Sequence, residues 1–177
     1  MRKQKRRFWA EMQLDFWEWS RQIVKLQIIE RMSHKPEEYM LITEDVHRIV
    51  EASGIEDGLA AVVTAHTTTG IIVNEALPCV ESDISDMLER MAPLDADYAH
   101  AHFLPSYGAT GNNSQGHLKS LVCGNSCMFP VIGGKLVCGG AQDIYLVDFD
   151  GPQMRKIYVE VMGEPKESNH KRKGEEK

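Results

Sequence analysis

The stretch CMFPVIGGKLVC, residues 127–138, decides the fold class of this chain. Two apolar runs, Cys127–Ile132 and Leu136–Cys138, flank the dipeptide Gly133-Gly134. Because glycine accepts the positive φ angles of tight hairpin turns, this pattern is typical of two antiparallel strands joined by a short turn. We therefore expect a β-hairpin in the second half of the chain.

Further apolar runs of strand length extend this hairpin into a sheet. Three of these six runs follow the hairpin or closely precede it, so the second half of the chain, with the hairpin itself, is richer in strands than the first. In chain order these predicted strands are Ile23–Arg31, Leu59–Thr64, Gly70–Asn74, Leu118–Cys123, Ile144–Phe149 and Lys156–Met162.

Two segments predict helices. Thr43-Glu44-Asp45 precedes apolar residues at helical spacing, the pattern of a capped helix, and Gly54 ends that pattern. The segment Pro78–Met91 repeats its apolar residues at the same spacing. Early helices and late strands predict a single-domain α+β fold, in which a mixed or largely antiparallel sheet carries two helices packed on it.

Length and charge exclude several classes of protein. The chain has 177 residues, of which 42% are hydrophobic, and its formal net charge is −6. That length suits one domain with an ordinary core. The acidic balance argues against a general nucleic-acid binder, which needs a surplus of lysine and arginine on one face. No apolar stretch approaches the ~20 residues that a membrane helix needs, so we expect no membrane partner.

The two ends differ from the central domain, which we place at residues 23–164. Residues 1–22 carry aromatic and apolar side chains at helical spacing, which predicts an amphipathic helical extension. We expect it to pack on the core or on a neighbouring subunit. The alternative, a helix that binds a membrane surface or a partner, is disfavoured by Glu11, Asp15 and Glu18. Residues 165–177 are almost wholly polar and predict a disordered tail.

The cysteines and the amino terminus both indicate a cytoplasmic location. Cys79, Cys123, Cys127 and Cys138 form no CxxC pair and are too sparse for a disulfide scaffold, so we expect reduced thiols. The basic start of the chain is followed by acidic residues where a signal peptide needs an apolar run.

Three histidines on separate segments are the main candidates for a functional site. His66 lies between two predicted strands, His100 lies near His102, and His117 follows a polar loop. Such a set can assemble a metal or phosphate site in the folded chain. Taken alone, His66 fits a satisfied polar residue equally well, and no HExxH or CxxC spacing supports a metal. His102 is an alternative ligand to one of the three.

Other polar residues suggest acid–base and anion-binding roles. Glu75, in Asn74-Glu75 at a predicted strand end, fits a general base or a fourth metal ligand, or simply orients the next helix. Lys119 and Arg155 are the cations best placed to hold a phosphate or carboxylate. The loop that ends at Asn113 offers backbone donors, but the chain lacks the glycine patterns of P-loop and Rossmann folds.

The order and spacing of these polar residues carry a resemblance over roughly residues 23–164. The segments concerned are His66-Thr67-Thr68, Asn74-Glu75, Asp83, Tyr98-x-His100, Gly116-His117-Leu118-Lys119-Ser120, Gln142, Asp148-Phe149-Asp150-Gly151-Pro152 and Arg155. Together they resemble the YjbQ-like family, known as secondary thiamine-phosphate synthases. The resemblance implies a compact α+β fold, a homotrimer with the polar residues near a subunit interface, and a divalent metal, zinc, held by histidines.

The resemblance also implies a reaction, in which a pyrimidine pyrophosphate joins a thiazole phosphate with loss of pyrophosphate. In this hypothesis the metal is held by His66, His100 and His117. Glu75 handles protons, with Asn74 and Gln142 beside it as catalytic residues. The small phosphorylated metabolite is bound by a further set: Lys119, Arg155, Asn113 and Ser120.

Two alternatives stay open at this point. One is a metal-dependent hydrolase of a small phosphorylated metabolite, in which metal-bound water attacks the phosphate. The other is a non-catalytic trimer that binds a metabolite or a metal. The chain departs from the family pattern at Ala141 and in the longer stretch 101–116, so we expect the shape of its site to differ.

Overall fold

The computed structural model of the chain describes residues 22–102 and 113–166. Of the predicted extension 1–22, only Gln22 lies within the described residues. Of the predicted tail 165–177, only Pro165 and Lys166 do. The strands of the described part are β1 (Ile23–Met32), β2 (Glu38–Leu41), β3 (Ile55–Thr64), β4 (Thr69–Asn74), β5 (Ser126–Ile132), β6 (Lys135–Leu136), β7 (Asp143–Asp148) and β8 (Met154–Pro165). Its helices are α1 (Thr43–Ser53), α2 (Pro78–Met91), α3 (Ala99–His102) and α4 (Ser114–Cys123).

The strands form two antiparallel sheets. The larger has the order β1-β8-β3-β5-β6, and the smaller has the order β2-β7-β4. The predicted hairpin is β5 and β6, and its two glycines have φ angles of 59° and 74°. The prediction of a single-domain α+β fold is confirmed, although four helices rather than two occur in the described part of the chain.

The core lies between the larger sheet, α1 and the smaller sheet. Alternate residues of β3 and β8 point inward, as a strand's period of two requires. Val62 and Val159, a register pair of these two strands, are fully buried with Val46 and Val50 of α1. This packing fixes the ends of β3 and β8 beside each other, which positions the candidate site.

Two local predictions are wrong. Leu118–Cys123 is the second half of α4 rather than a strand, because a short apolar run fits either structure and the helix begins upstream at Ser114. Thr43 is the first residue of α1 rather than its cap. Its hydroxyl donates to Asp143 Oδ1 (2.7 Å) and accepts from the Ile144 amide (2.9 Å), so it ties α1 to β7.

Gly58 is required where β3 meets β8. A Cβ atom at this position would lie 2.0 Å from the Met162 carbonyl oxygen and 2.8 Å from the Gly163 Cα. We expect Gly58→Ala to lower the free energy of unfolding by about 1–3 kcal/mol or more, because backbone must move to admit the methyl group. Urea denaturation measures this loss. Gly140→Ala is the matched control, since nothing lies within 4 Å of its added Cβ; equal losses for both variants would contradict this account.

The larger sheet has one apolar surface that the described residues leave exposed. We call it the outer face and define it by Val24, Leu26, Ile28, Leu59, Met128 and Met162, all of which are exposed. Register pairing places them in adjacent rows across four strands, β1, β8, β3 and β5. Glu160 of β8 lies in the row between Leu26 and Ala61, so this face carries one acid among its apolar side chains. An exposed and mainly apolar surface commonly marks an interface. Within the described ranges, no helix has the length and apolar character needed to cross a bilayer.

Candidate functional site

A cavity of about 490 Å³ opens where the β3–β4 turn, α3, the start of α4 and the β7–β8 turn meet. We call it the histidine pocket. It brings together several residues that are far apart in sequence, among them all three of the predicted histidines. Its lining includes His66, Thr67, His100, Asn113, His117, Asp150 and Arg155.

The β3–β4 turn is held by threonines. The Thr64 and Thr69 hydroxyl oxygens are 2.6 Å apart, and Thr69 Oγ1 also donates to the His66 carbonyl at 3.1 Å. Both threonines are buried. These bonds fold residues 65–68 into a tight connection that presents the His66 side chain to the histidine pocket.

Arg155 lies in the wall of the pocket as half of a buried ion pair. Its Nε and Nη2 atoms donate to Asp148 Oδ2 (2.8 Å) and Oδ1 (2.6 Å), and Nη2 also donates to Thr68 Oγ1 (3.2 Å). Arg155 is 4% exposed and Asp148 is fully buried. Ser33 Oγ (2.7 Å) and the Asp150 backbone amide (3.0 Å) also donate to this carboxylate. The guanidinium is therefore fixed in place, and the buried Asp148 carboxylate balances its positive charge.

His66 is held in one neutral form. The Lys156 backbone amide donates to its Nε2 atom at 3.0 Å, so the hydrogen of the neutral ring lies on Nδ1. Burial lowers the pKa of His66, and the positive charge of Arg155 lowers it further. His66 is thus suited to donate one hydrogen bond without carrying a charge.

The lowered pKa of His66 has a measurable consequence. The unfolded chain takes up this proton near the ordinary pKa of about 6.5, before the folded chain does, so protonation favours unfolding as the pH falls through 6.5 toward the lowered value. We expect the His66 ring signals to titrate below pH 6.5 in NMR spectra of the folded protein. We also expect His66→Gln to remove this part of the pH dependence of stability. A titration midpoint at or above 6.5 would contradict the assignment.

His100 and His117 contact each other edge to face in the lining of the pocket. Their ring centroids are 5.3 Å apart and their planes are nearly perpendicular, at 89°. His100 Nε2 lies 3.1 Å from Asn113 Oδ1. His102 pairs with Asp97 and does not contribute to the lining of this pocket.

The arrangement of these side chains does not fit the predicted three-histidine zinc site. Within the described ranges, no group of three His, Cys, Asp or Glu side chains is placed to share one ion. The reason at His66 is local, because its Nε2 atom accepts the Lys156 amide and its Nδ1 atom carries the hydrogen. Zinc remains a prediction from the resemblance.

Three predicted catalytic residues lie away from the pocket. Strands β4 and β7 pair Thr69 with Asp148 at the pocket end and Asn74 with Asp143 at the other. Five residue steps along a strand separate these ends by roughly 17 Å. Glu75 and Gln142 adjoin the far end, and Gln142 Oε1 accepts the Gly139 amide at 2.8 Å. A single chain therefore does not bring them to the histidines.

Lys119 and Ser120 lie on α4 and form hydrogen bonds with residues of other segments. Lys119 Nζ donates to Glu37 (2.8 Å) and Glu89 (2.9 Å), and the lysine is buried. Burial alone lowers the pKa of Lys119, but the bonds with these two carboxylates outweigh it and raise the pKa. Ser120 Oγ donates to the Thr69 carbonyl at 2.7 Å. Lys119 thus does not line the pocket, which leaves Arg155 as the predicted cation that does.

Sequence reasoning missed Asp150. Its carboxylate lines the pocket, and its Oδ2 atom accepts a hydrogen bond from Asn113 Nδ2 at 2.9 Å. The segment Asp148-Phe149-Asp150-Gly151-Pro152 was itself a signal. Choosing between its two carboxylates requires knowing that β7 ends at Asp148, which points into the interior.

A second cavity, of about 480 Å³, adjoins the first. The two share Ala65, His66, Thr67 and His117, so these residues form a common wall. The far side of the second cavity includes Ser120 and the exposed side chain of Leu121. The site thus has two compartments, the first more polar than the second.

Comparison with known proteins agrees with the resemblance seen in the sequence. A family described as "UPF0047 protein YjbQ-like" matches residues 27–164. A UPF0047 protein of Methanothermobacter thermautotrophicus is 39% identical over 124 residues, which cover 70% of this chain and 82% of the relative. The Bacillus subtilis UPF0047 protein YugU is 35% identical over 139 residues, or 78% of this chain and 99% of YugU.

Solved structures give the same result. A YbjQ-like protein of unknown function from Sulfolobus solfataricus superposes with a TM-score of 0.75 at 33% identity, covering 81% of this chain and 99% of its own. An uncharacterized protein of the yjbq/upf0047 family from Clostridium acetobutylicum gives a TM-score of 0.68 at 34% identity. This match covers 76% of this chain and 98% of its own. The chain belongs to the YjbQ-like UPF0047 family.

Proposed function

We propose that the histidine pocket binds a small phosphorylated metabolite and that the protein is a transferase similar to thiamine-phosphate synthase. The observation that carries this proposal is the shared wall, in which His66 and His117 face two adjoining cavities. A condensation needs two substrates held side by side. The first cavity offers donors for the pyrophosphate, and the second, with Leu121, accommodates a less polar ring.

The proposed reaction requires charge stabilisation more than proton removal. The thiazole nitrogen supplies the electron pair for the new carbon–nitrogen bond, and the bond from the pyrimidine carbon to pyrophosphate breaks. Negative charge therefore develops on the leaving group, where fixed donors are most effective. His66, with its hydrogen on Nδ1, and the anchored guanidinium of Arg155 are such donors.

Product analysis tests this function. Purified protein is supplied with the pyrimidine pyrophosphate and the thiazole phosphate, and thiamine phosphate and pyrophosphate are quantified together. Equal amounts of both products support the transferase. Inorganic phosphate released without the thiazole substrate points to the rival hydrolase instead. Thermal stabilisation by the substrates with no turnover points to a binding protein.

We also propose that the protein is a cytoplasmic homotrimer. The outer face supports the trimer, because burying it against other copies would remove a large apolar surface from water. In a trimer, the far end of the smaller sheet can approach the pocket of another chain, which would restore the catalytic roles predicted for Asn74, Glu75 and Gln142. All four cysteines are free thiols, which agrees with a reducing compartment.

A charge on the outer face should disrupt this assembly. Leu26 is 56% exposed on β1, so Leu26→Asp is tolerated within one chain but places a carboxylate in an apolar interface. We expect native mass spectrometry to show trimers for the unaltered protein and mainly monomers for this variant. Leu94→Asp, at an exposed leucine outside the outer face, is the control and should remain trimeric. A monomeric unaltered protein would refute the proposal.

A further inference from the structure

We infer that residues 1–22 dock in an apolar groove between helices α2 and α4 of the same chain, with Trp9 in the groove and the basic residues 2–7 beside the acids of α2. We call this depression the helix groove. Among the described residues, it shares no lining with either cavity of the candidate site. The inference is therefore independent of the proposed reaction.

The helix groove has a volume of about 410 Å³ and lies where α2 and α4 meet β4 and the start of β5. None of the described residues that line it is charged. The lining consists mainly of aliphatic and sulfur-containing side chains, among them Ile72, Val73, Ile84, Met87, Val122 and Cys127. A depression of this composition suits apolar side chains rather than a phosphorylated ligand.

Helix α2 has a wider apolar face than its own packing covers. Leu88 is buried in the cluster that α2 forms with the smaller sheet. Met87 and Met91 lie on one side of the helix, four positions apart, and both are exposed. Helix α4 adds the exposed side chain of Val122 to the same groove. An exposed apolar surface shared by two helices indicates a docking surface.

Charge favours the amino-terminal segment as the occupant. Residues 2–7 carry five basic side chains and no acid. Helix α2 carries four acids and one base. The described ion pairs use neither Asp83 nor Asp86 of these acids. Asp83 lies one helical turn before Met87, so an acid without an ion-pair partner stands at the rim of the helix groove.

The segment is long enough to reach the helix groove. It joins β1 at Ile23, whose row in the larger sheet ends at Val131 of β5. Three strand spacings, and the four steps along β5 from Val131 to Cys127, separate Ile23 from the groove by roughly 20 Å. Trp9 precedes Ile23 by fourteen residues, which span about 21 Å in a helix. Residues 2–7 then extend beyond the groove toward α2.

The outer face is the rival surface for this segment. It carries Glu160 as the one acid among its apolar side chains, so it offers the basic residues less negative charge than α2 does. The proposed trimer also covers it with other copies of the chain. The helix groove is concave and is left open by the described residues, so it fits the segment better.

Tryptophan fluorescence tests this docking. The three tryptophans of the chain are Trp9, Trp17 and Trp19, so replacing the last two by phenylalanine leaves Trp9 as a reporter in the full chain. Met87→Asp places a charge in the helix groove, and Met128→Asp is the matched change on the outer face. Both methionines are exposed, so the fold should tolerate both variants, and far-ultraviolet circular dichroism checks this. The measurement is the emission maximum of Trp9, with the chain unfolded in urea as the reference for a solvated ring.

We expect Trp9 to emit at a shorter wavelength than in urea in the reporter chain and in Met128→Asp. Met87→Asp should shift the emission to the urea value, because a carboxylate in the groove opposes burial of the ring. Emission at the urea value in the reporter chain itself would overturn the inference. A shift in Met128→Asp but not in Met87→Asp would also overturn it and place the segment on the outer face. Loss of the short-wavelength emission on dilution would assign the segment to a second copy and contradict docking within one chain.

A second pair of variants tests the charge without altering the groove lining. Asp83→Lys/Asp86→Lys reverses two acids of α2, and Glu44→Lys/Glu51→Lys makes the same change at two exposed acids of α1. We expect the first pair to move Trp9 emission part of the way to the urea value, because lysines there repel residues 2–7. The second pair should leave it unchanged. Equal shifts from both pairs would show that net charge alone is responsible and would contradict the proposed contact with α2.

Discussion

Asp148→Ala is expected to lower the free energy of unfolding by about 3–5 kcal/mol, because it leaves the buried charge of Arg155 without its partner. Asp148 accepts two bonds from Arg155, at 2.8 and 2.6 Å, a third from Ser33 and a fourth from the Asp150 amide. Burial makes the loss large, since the described contacts leave the guanidinium no other acid to pair with and little access to water. Urea denaturation followed by far-ultraviolet circular dichroism measures the change.

The control for this variant is an ion pair at the surface. Glu30 lies 3.6 Å from Lys156, and both side chains are more than half exposed. Glu30→Gln should therefore change stability by less than about 1 kcal/mol. If Asp148→Ala proved as mild as Glu30→Gln, the ion pair would not be the structural support of the pocket that the geometry indicates.

His117→Ala is expected to reduce kcat/KM for thiamine phosphate formation by about 10², the loss typical when a bound substrate is misplaced by about 1 Å. His117 lines both cavities and contacts His100, so its removal alters the wall that separates the two substrates. The ring is only half-buried and lies outside the hydrophobic core, so the fold should persist. Initial rates under matched protein concentrations measure the effect.

His102→Ala serves as the comparison for His117→Ala. It removes an imidazole that pairs with Asp97 and does not line either cavity. Its activity should stay within about twofold of the unaltered protein, because surface substitutions away from a site rarely matter. Equal activity in the two variants would place the chemistry elsewhere on the molecule.

The sequence predicts those elements whose local signals are complete. Helix α2 has the predicted bounds, Pro78–Met91, since proline suits a first helical turn and the apolar spacing is regular. Helix α1 ends where expected because Gly54 has a φ angle of 75°. The run Leu118–Cys123 lacks such signals, and its helix packs against β4 and α2.

The helix also separates Lys119 from His117, its near neighbour in the sequence. The predicted strand Leu118–Cys123 contains Lys119 and begins one residue after His117. On helix α4 they lie about 200° apart, and Lys119 turns toward Glu37 and Glu89 instead. Glu75 also lies away from the pocket, because β4 starts at the pocket with Thr69 and Glu75 follows its last residue, Asn74.

The convergence of His66 and Arg155 depends on contacts that no local pattern specifies. Strands β3 and β8 pair antiparallel, with Thr64 opposite Ile157, and this register brings the β3–β4 turn beside the start of β8. The sequence identifies both residues as polar positions at strand ends. Only the pairing of strands about 90 residues apart shows that they share a pocket.

The most direct test of the account is to locate where pyrophosphate binds. Chemical shifts of the backbone and histidine side chains are recorded by NMR while inorganic pyrophosphate is added to the full chain. We predict saturable changes centred on His66, Thr67 and His117, which line both cavities. Changes centred on Asn74 and Gln142, or no saturable change at all, would contradict the claim that the histidine pocket binds a phosphorylated metabolite.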